Sequence, residues 1–148
     1  MELRALVKHF EGLHKIVTYK PAISIAPYLC PAGFWTQGYG HLVRPGAPEV
    51  GEATCEEWLA ADLAAAQLHT LALTTRILPP HALDALTSFV FNLGAGRFRG
   101  STLRAKINRG AFDEVPDELR KWVYGGGQKL PGLVLRREAE VALWFGIT

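Results

Sequence analysis

The stretch CPAGFWTQGYGH, residues 30–41, concentrates unusual chemistry in a short span. Its twelve positions hold three glycines, a proline and a cysteine, and they end on a histidine. Thr36 lies between two larger side chains and is followed closely by Gly38 and Gly40. A glutamate in the segment HFEGLHK, Glu11, precedes the cysteine by nineteen positions. Such a bendable backbone indicates either a tight hairpin or a loop built to approach a ligand.

The rest of the chain is typical of a folded domain. It has 148 residues, of which 49% are hydrophobic and 20% are charged, a balance that excludes disorder and allows a core without disulfides or metals. No run of eighteen apolar residues occurs, so we expect no stable membrane insertion. The N-terminal MELRALVKHFEGL lacks the apolar core of a signal peptide. We therefore expect one domain, residues 1–148, made in the cytoplasm and not exported by the general secretory route.

Cysteine and histidine usage argues against a metal site. The two cysteines, Cys30 and Cys55, have no metal-ligand spacing, and a single bridge between them is left open as the less usual state in a cytoplasmic protein. His9 and His14 are five positions apart, whereas a helical metal pair needs four. We expect no metal and no cofactor.

Charge is unevenly distributed along the chain. Residues 1–74 hold five Lys/Arg and seven Asp/Glu, whereas residues 75–148 hold eleven and seven. A basic half suits an anionic polymer as partner, but a solvated helical surface explains it equally well.

Hydrophobic periodicity predicts an α+β protein in two lobes. A helix is expected over 2–13, short strands and turns over about 16–50, and a long helix over about 55–73 that starts at a capping box formed by Thr54 and Glu57. Prolines, a serine and glycines then delimit shorter helices, expected over 79–94, 101–110, 116–123 and 131–146. A cleft between two lobes is a favoured ligand site.

Several residues can be interpreted either as structural or as catalytic. Glu11 is either a solvated surface glutamate or, if apolar neighbours shield it, a general acid able to donate a proton near neutrality. Gly12 is expected to end the first helix there and leave the carboxyl group facing the glycine-rich stretch. Thr36 could position a water or a sugar hydroxyl. Cys30 is either a small buried hydrophobe or half of a nucleophilic pair with His41, for which no third orienting residue can be named.

Four segments, in this order, resemble the phage-type lysozymes of glycoside hydrolase family 24: FEGL, YLCPAGFWTQGYGH, FVFNLGAGRFRGSTLRAKIN and WVYGGGQKLPGLVLRREAE. The resemblance covers nearly the whole chain. It implies a two-lobed lysozyme-like fold, with a small mixed N-terminal lobe, a long connecting helix and a helical C-terminal lobe. The family motif is a catalytic Glu, then Asp or Cys nine residues on, then Thr six further. Carried over, Glu11 is the proton donor, Cys30 the middle position and Thr36 the third member.

The first interval departs from the family pattern. Cys30 to Thr36 has the family spacing, whereas Glu11 to Cys30 is ten residues longer. The extra length falls at TYKPAISIAP, residues 18–27, which we interpret as an enlarged strand–turn–strand on the lip of the cleft that tolerates deletion. Because no carboxylate occupies the middle position, Cys30 and Thr36 are expected mainly to hold water.

The resemblance also implies the reaction and its partners. Glu11 would protonate the leaving oxygen of the β-1,4 bond between N-acetylmuramic acid and N-acetylglucosamine as an oxocarbenium-like state develops. Phe91 is expected to be buried where the helical lobe meets the cleft. The expected partners are peptidoglycan glycan strands, no nucleic acid, and a phage holin that lets a monomeric enzyme pass from the host cytoplasm to the periplasm or cell wall. The residues carried over as substrate-binding are Gly38, Gly40, His41, Leu42, Phe91 and Thr102.

Two other functions stay open at this point. A lytic transglycosylase needs only one glutamate and leaves an anhydro sugar, which suits the missing carboxylate. A non-catalytic peptidoglycan-binding or structural virion module would give Glu11 no role in its motif.

Overall fold

The structure is a computed structural model that describes residues 2–18 and 22–147, without the side chain of Thr18. It divides into two compact units. We call Val7–Asp62 the mixed unit, and Met1–Leu6 with Leu63–Thr148 the helical unit. The α+β class expected from the sequence is confirmed, while the expectation of one catalytic domain over 1–148 stays a prediction.

The mixed unit is built from two small antiparallel sheets. One has the strand order β1-β2-β6 and the other β3-β4-β5. The end of the first helix and the start of the long second helix belong to the same unit. Its elements in chain order are α1 (Leu3–Glu11), β1 (Ile16–Thr18), β2 (Ser24–Ile25), β3 (Tyr28–Leu29), β4 (Trp35–Gln37), β5 (His41–Leu42), β6 (Val50–Gly51) and α2 (Glu52–Leu73).

The core of the mixed unit draws residues from the first sheet and from both helices. Val7, Ile25, Cys55 and Leu59 are almost completely inaccessible to solvent. Gln37 is also fully buried, and its Nε2 donates to the carbonyl oxygens of Ile25 at 2.7 Å and Pro48 at 3.0 Å. These bonds tie β4, in the second sheet, to the first sheet.

The helical unit packs α3 against α7, with the shorter helices around them. Its buried apolar residues include Leu86, Phe89, Phe98 and Leu119. The elements are α3 (Pro80–Leu93), α4 (Ala95–Arg99), α5 (Thr102–Asn108), a 3₁₀ turn (Phe112–Glu114), α6 (Val115–Arg120), β7 (Tyr124–Gly125), β8 (Gln128–Lys129) and α7 (Pro131–Trp144).

Local signals placed most helix ends correctly. Gly12 ends α1 with a φ of 69°, and Gly94 ends α3 with a φ of 93° and an N–H bond to the carbonyl of Val90. The Ser101 hydroxyl accepts from the Arg104 N–H at 3.0 Å, which confirms the expected serine cap of α5. The capping box is wrong: α2 begins at Glu52, directly after β6, so Thr54 lies inside its first turn.

Two predictions about strands need correction. The hairpin β7–β8 was missed; its turn residues Gly126 and Gly127 both have positive φ, the geometry that a double glycine supplies between paired strands. The insertion at 18–27 does form an antiparallel strand pair, but it is not a peripheral addition, because β2 is the central strand of its sheet and Ile25 is fully buried. Positions 19–21 of the insertion lie outside the described residues.

Candidate active site

The carboxyl group of Glu11 lies against the turn between β4 and β5. Its Oε2 is 3.1 Å from the point where a Cβ on Gly40 would stand, so a side chain at Gly40 would press on the carboxyl group. Gly40 also has a φ of 82°, which favours glycine. The Nε2 of His14 is 2.8 Å from the Glu11 carbonyl oxygen, just beyond Gly12, where α1 ends. The half-buried Glu11 therefore faces the glycine-rich stretch, as the sequence predicts.

The Cys30 thiol sits in a tight turn between β3 and β4. Cys30 N–H donates to the Phe34 carbonyl and Gly33 N–H donates to the Cys30 carbonyl, both at 2.9 Å. The pKa of the thiol is lowered, first by a hydrogen bond from the backbone of Phe34, then by the Thr36 hydroxyl and further backbone N–H groups, while burial opposes the shift. The turn therefore stabilises the thiolate form of Cys30 relative to a cysteine that is fully solvated.

Cys55 is in a contrasting environment. It is completely buried on α2, and burial, followed by the charges of Glu52 and Glu56, raises the pKa of its thiol. Both cysteines are free. The bridge that the sequence left open is therefore not formed.

Thr36 is buried in the middle of the second sheet, opposite Tyr28 on one side and Leu42 on the other. Its hydroxyl donates to the Phe34 carbonyl at 3.0 Å. A hydroxyl has one proton, so this bond competes with donation to the Cys30 sulfur.

Strand alternation sorts the site residues onto two faces. Tyr28, Thr36 and Leu42 share one face of the sheet β3-β4-β5, and the Thr36 hydroxyl acts on the thiol of Cys30, which follows β3 directly. His41, on the other face, has its Nδ1 2.8 Å from Asp62 Oδ2 and stacks on the Trp58 ring, with centroids 4.3 Å apart. The structure therefore does not bring His41 together with Cys30.

Comparison with known proteins identifies the family. The family model for phage lysozymes matches residues 9–140. The chain belongs to the phage lysozyme family. It is accordingly a glycoside hydrolase of the lysozyme, or muramidase, type.

Relatives and solved structures agree with this assignment. The chain is 41% identical over 123 residues to a SAR-endolysin of Bacteriophage PS119, covering 80% of this chain and 73% of that protein. It is 37% identical over 147 residues to an endolysin of Acyrthosiphon pisum secondary endosymbiont phage 1, covering 94% and 92%. The muramidase domain of SpmX from Asticaccaulis excentricus matches with a TM-score of 0.80 and 30% identity, covering 96% of this chain and 93% of that one. The lysozyme-like fold is confirmed.

The two glycines in the turn between β4 and β5, Gly38 and Gly40, have different surroundings. Gly38 has a φ of 64°, and a Cβ there would come within 2.8 Å of the Cys55 sulfur. A side chain is excluded at Gly38 by close packing on α2, whereas the lack of a side chain at Gly40 makes room for Glu11. A ligand contact at either glycine stays a prediction.

The remaining predicted binding residues lie in different places. Leu42 is 66% exposed and offers an apolar surface on the same face as Thr36. Phe91 on α3 and Thr102 at the start of α5 belong to the helical unit. Phe91 is half-buried, so the expectation that it is buried is wrong. Its role in binding saccharide stays a prediction, as does that of Thr102.

The sequence reasoning missed Tyr28. Its ring meets the ring of His14 edge to face, with centroids 5.3 Å apart. The pKa of its phenol is raised, first by burial and then by the negative charges of Glu11 and Cys30. The available signal was its place two positions before Cys30, since residues two apart in an extended segment point the same way.

The described residues hold no group of three or more His, Cys, Asp or Glu side chains suited to a metal ion. Likewise, none of the helices described is both long enough and apolar enough to cross a bilayer.

Proposed function

We propose that the protein is an endolysin that hydrolyses the β-1,4 bond between N-acetylmuramic acid and N-acetylglucosamine in bacterial peptidoglycan. The observation that carries this proposal is the placement of Glu11 against Gly40, in the same unit as the Cys30–Thr36 turn. The family and the muramidase fold support the class of reaction.

Glu11 is the proton donor in this mechanism. Its proton passes to the glycosidic oxygen as the bond from that oxygen to the anomeric carbon breaks, and positive charge develops on the sugar. A water then adds to the anomeric carbon and releases a proton to solvent, and Glu11 takes a proton back from solvent, so that both fragments end in hydroxyl groups and the donor is restored. Cys30 and Thr36 hold this water, because a thiol and a hydroxyl can both donate and accept hydrogen bonds.

The test of the donor is Glu11→Gln. The variant keeps the shape of the side chain but cannot donate the proton, so lysis of outer-membrane-permeabilised cells, followed by turbidity, should fall by about 10²–10⁴-fold. Glu57→Gln is the matched control, because Glu57 is an exposed residue of α2 and its loss should leave lysis unchanged. Lysis near the wild-type rate by a folded Glu11→Gln protein would overturn the assignment.

A lytic transglycosylase is the second candidate, and the lack of any Asp or Glu from Cys30 to Thr36 favours it. In that reaction a hydroxyl group of the muramic acid itself replaces water and an anhydro end results. Mass spectrometry of the released fragments separates the two reactions, because hydrolysis adds one water per cleaved bond. A purely binding module would release no fragments at all.

We further propose that the enzyme acts as a monomer, on peptidoglycan and not on nucleic acid, after a holin lets it leave the host cytoplasm. Expression with and without a holin gene tests the release step, and we expect rapid lysis only with the holin. Light scattering during size-exclusion chromatography tests the monomer, whose mass should be 16.2 kDa. Lysis without the holin would contradict this route.

A further inference from the structure

Tyr28 lies next to two parts of the proposed site, the Cys30–Thr36 turn and the segment that carries Glu11. It is the direct cross-strand neighbour of Thr36 in the sheet β3-β4-β5, and it precedes Cys30, in the turn after β3, by two residues. Directly opposed residues of an antiparallel pair have Cβ atoms about 4.5–5.5 Å apart. Its side chain is half-buried.

His14 holds the Tyr28 ring next to the end of α1. The two rings meet at an angle of 61°, and the His14 Nε2 lies 2.8 Å from the Glu11 carbonyl oxygen. His14 therefore connects the segment carrying Glu11 with the strand carrying Tyr28. Glu11 and Cys30 act on the phenol through their charges, and His14 contacts its ring.

The electrostatics of this position keep the phenol protonated. Burial and the negative charges of Glu11 and Cys30 all raise the pKa of Tyr28 above its ordinary value of 10.0. The phenol is thus a hydrogen-bond donor throughout the neutral range. An ionised carboxylate can only accept, so the two groups are complementary once Glu11 has lost its proton.

We propose that Tyr28 is a positioning residue, which donates its phenolic hydrogen bond to the carboxylate that Glu11 becomes when it has protonated the leaving oxygen. The inference rests on the proposed function of Glu11. The phenol keeps its own proton throughout. A hydrogen bond to the charged form of an acid favours that form, so Tyr28 makes proton transfer from Glu11 easier in the transition state than in the ground state.

The test compares Tyr28→Phe with wild type on soluble peptidoglycan fragments, over a range of pH. We expect kcat to fall by about 10–100-fold with KM little changed, the effect of losing a hydrogen bond to a charged group in the transition state. The alkaline limb of the pH–rate profile should move to higher pH, because the ionised form of Glu11 has lost a donor. Tyr124→Phe, which removes an exposed hydroxyl in the helical unit, is the matched control and should match wild type.

Two further arms keep the result unambiguous. A Tyr28→Phe protein with an unshifted alkaline limb overturns the proposal, even if its kcat is lower, because a structural role moves rate without moving the limb. If that variant does not fold, site-specific replacement of Tyr28 by 3-fluorotyrosine decides. A more acidic phenol is a stronger donor, so the limb should move to lower pH, and an unchanged limb overturns the proposal. Glu11→Gln is run in parallel: if it stays active, the proposed function fails and not only the role of Tyr28.

Discussion

At the scale of single residues, the two thiols differ in both access and ionisation. Cys30 is partly exposed, with its pKa lowered by hydrogen bonds from the turn, whereas Cys55 is buried with its pKa raised. Because the thiolate is the nucleophile, we expect iodoacetamide to alkylate Cys30 in the folded protein about tenfold faster than Cys55, or more. Timed quenching and peptide mass spectrometry measure both rates in one sample. Equal rates in the folded protein would contradict the difference in exposure and pKa between the two thiols.

The role of Cys30 in the reaction is tested by two substitutions. Cys30→Ser should retain substantial lysis, because a hydroxyl can make the same hydrogen bonds to water. Cys30→Asp should also be active, since it supplies the carboxylate that an inverting pair uses. If instead a thiolate is the base, the Ser variant should be nearly inactive in the turbidity assay. A folded but inactive Asp variant would argue that another residue occupies the middle catalytic position.

Motif context, and not residue spacing, predicts this candidate site. Counting nine positions from Glu11 leads to Lys20, whereas the CPAGFWTQGYGH context leads to Cys30. The sequence also indicated that Gly12 would turn the Glu11 carboxyl towards the glycines, because helix ends are local events. It could not show that Gly38 packs on Cys55, since that contact joins segments far apart in the chain.

At the scale of elements, β2 stabilises the mixed unit from its centre. Ile25 is fully buried, and its carbonyl accepts from the side chain of Gln37. Truncation of Ile25 to Ala should therefore lower the free energy of unfolding by about 2–5 kcal/mol. Val17→Ala on the neighbouring β1 is the control, because that side chain is 48% exposed and should cost little. Urea unfolding followed by circular dichroism measures both.

Deletion of residues 20–26 follows the same reasoning. The sequence suggested a tolerated surface insertion, but the deletion removes the strand that β1 and β6 both pair with. We now expect a protein that does not fold, or one that melts far below wild type. A deletion variant with a wild-type melting temperature would show that β1 and β6 can pair without β2.

Helices were more predictable than strands for a physical reason. Their ends depend on nearby prolines, serines and glycines, so α3, α5 and α7 were placed to within a few residues. The strands have two or three residues each, too few for alternation to define where each one begins and ends, and the pairing of β2 with β6 joins segments far apart in the chain. A second local hairpin signal, the glycines of YGGGQK, was present in the sequence and was overlooked.

At the scale of the whole molecule, some of the charges counted in residues 75–148 lie in the core and not on the surface. Arg137 and Glu140 are completely buried, with Arg137 Nε 2.8 Å from Glu140 Oε1. Burial lowers the pKa of Arg137 to about 10. Ser88 on α3 donates to Glu140 Oε2 at 2.6 Å, so this network joins α7 to α3 and presents no charge to an anionic polymer. The buried pair removes one charge of each sign from the surface, so the excess of basic residues in this half is unchanged, and both interpretations of it stay predictions.

The last prediction concerns the stability of the whole chain in acid. The carboxylate of Glu118 on α6 is nearly inaccessible to solvent, and it accepts from Lys106 at 2.6 Å and Lys121 at 2.7 Å. Hydrogen bonds from Lys106, and then from Lys121, hold its pKa below the ordinary value of 4.5. A carboxyl group whose pKa is lower in the folded state stabilises the fold above the unfolded pKa, and this contribution is lost as the pH falls through the folded value.

Glu118→Gln should therefore lower the melting temperature at pH 7 by about 3–5 °C and weaken its fall between about pH 5 and pH 3. Asp113→Asn is the control, because Asp113 is an exposed carboxylate in the same unit. Calorimetry of the three proteins across this pH range measures the effect. The expected result is a gap between wild type and Glu118→Gln that is widest at neutral pH and closes in acid, where the wild-type carboxyl group also becomes neutral. A gap that stays constant with pH would mean that the glutamine disturbs packing around α6 and that the ion pairs with the two lysines contribute nothing measurable.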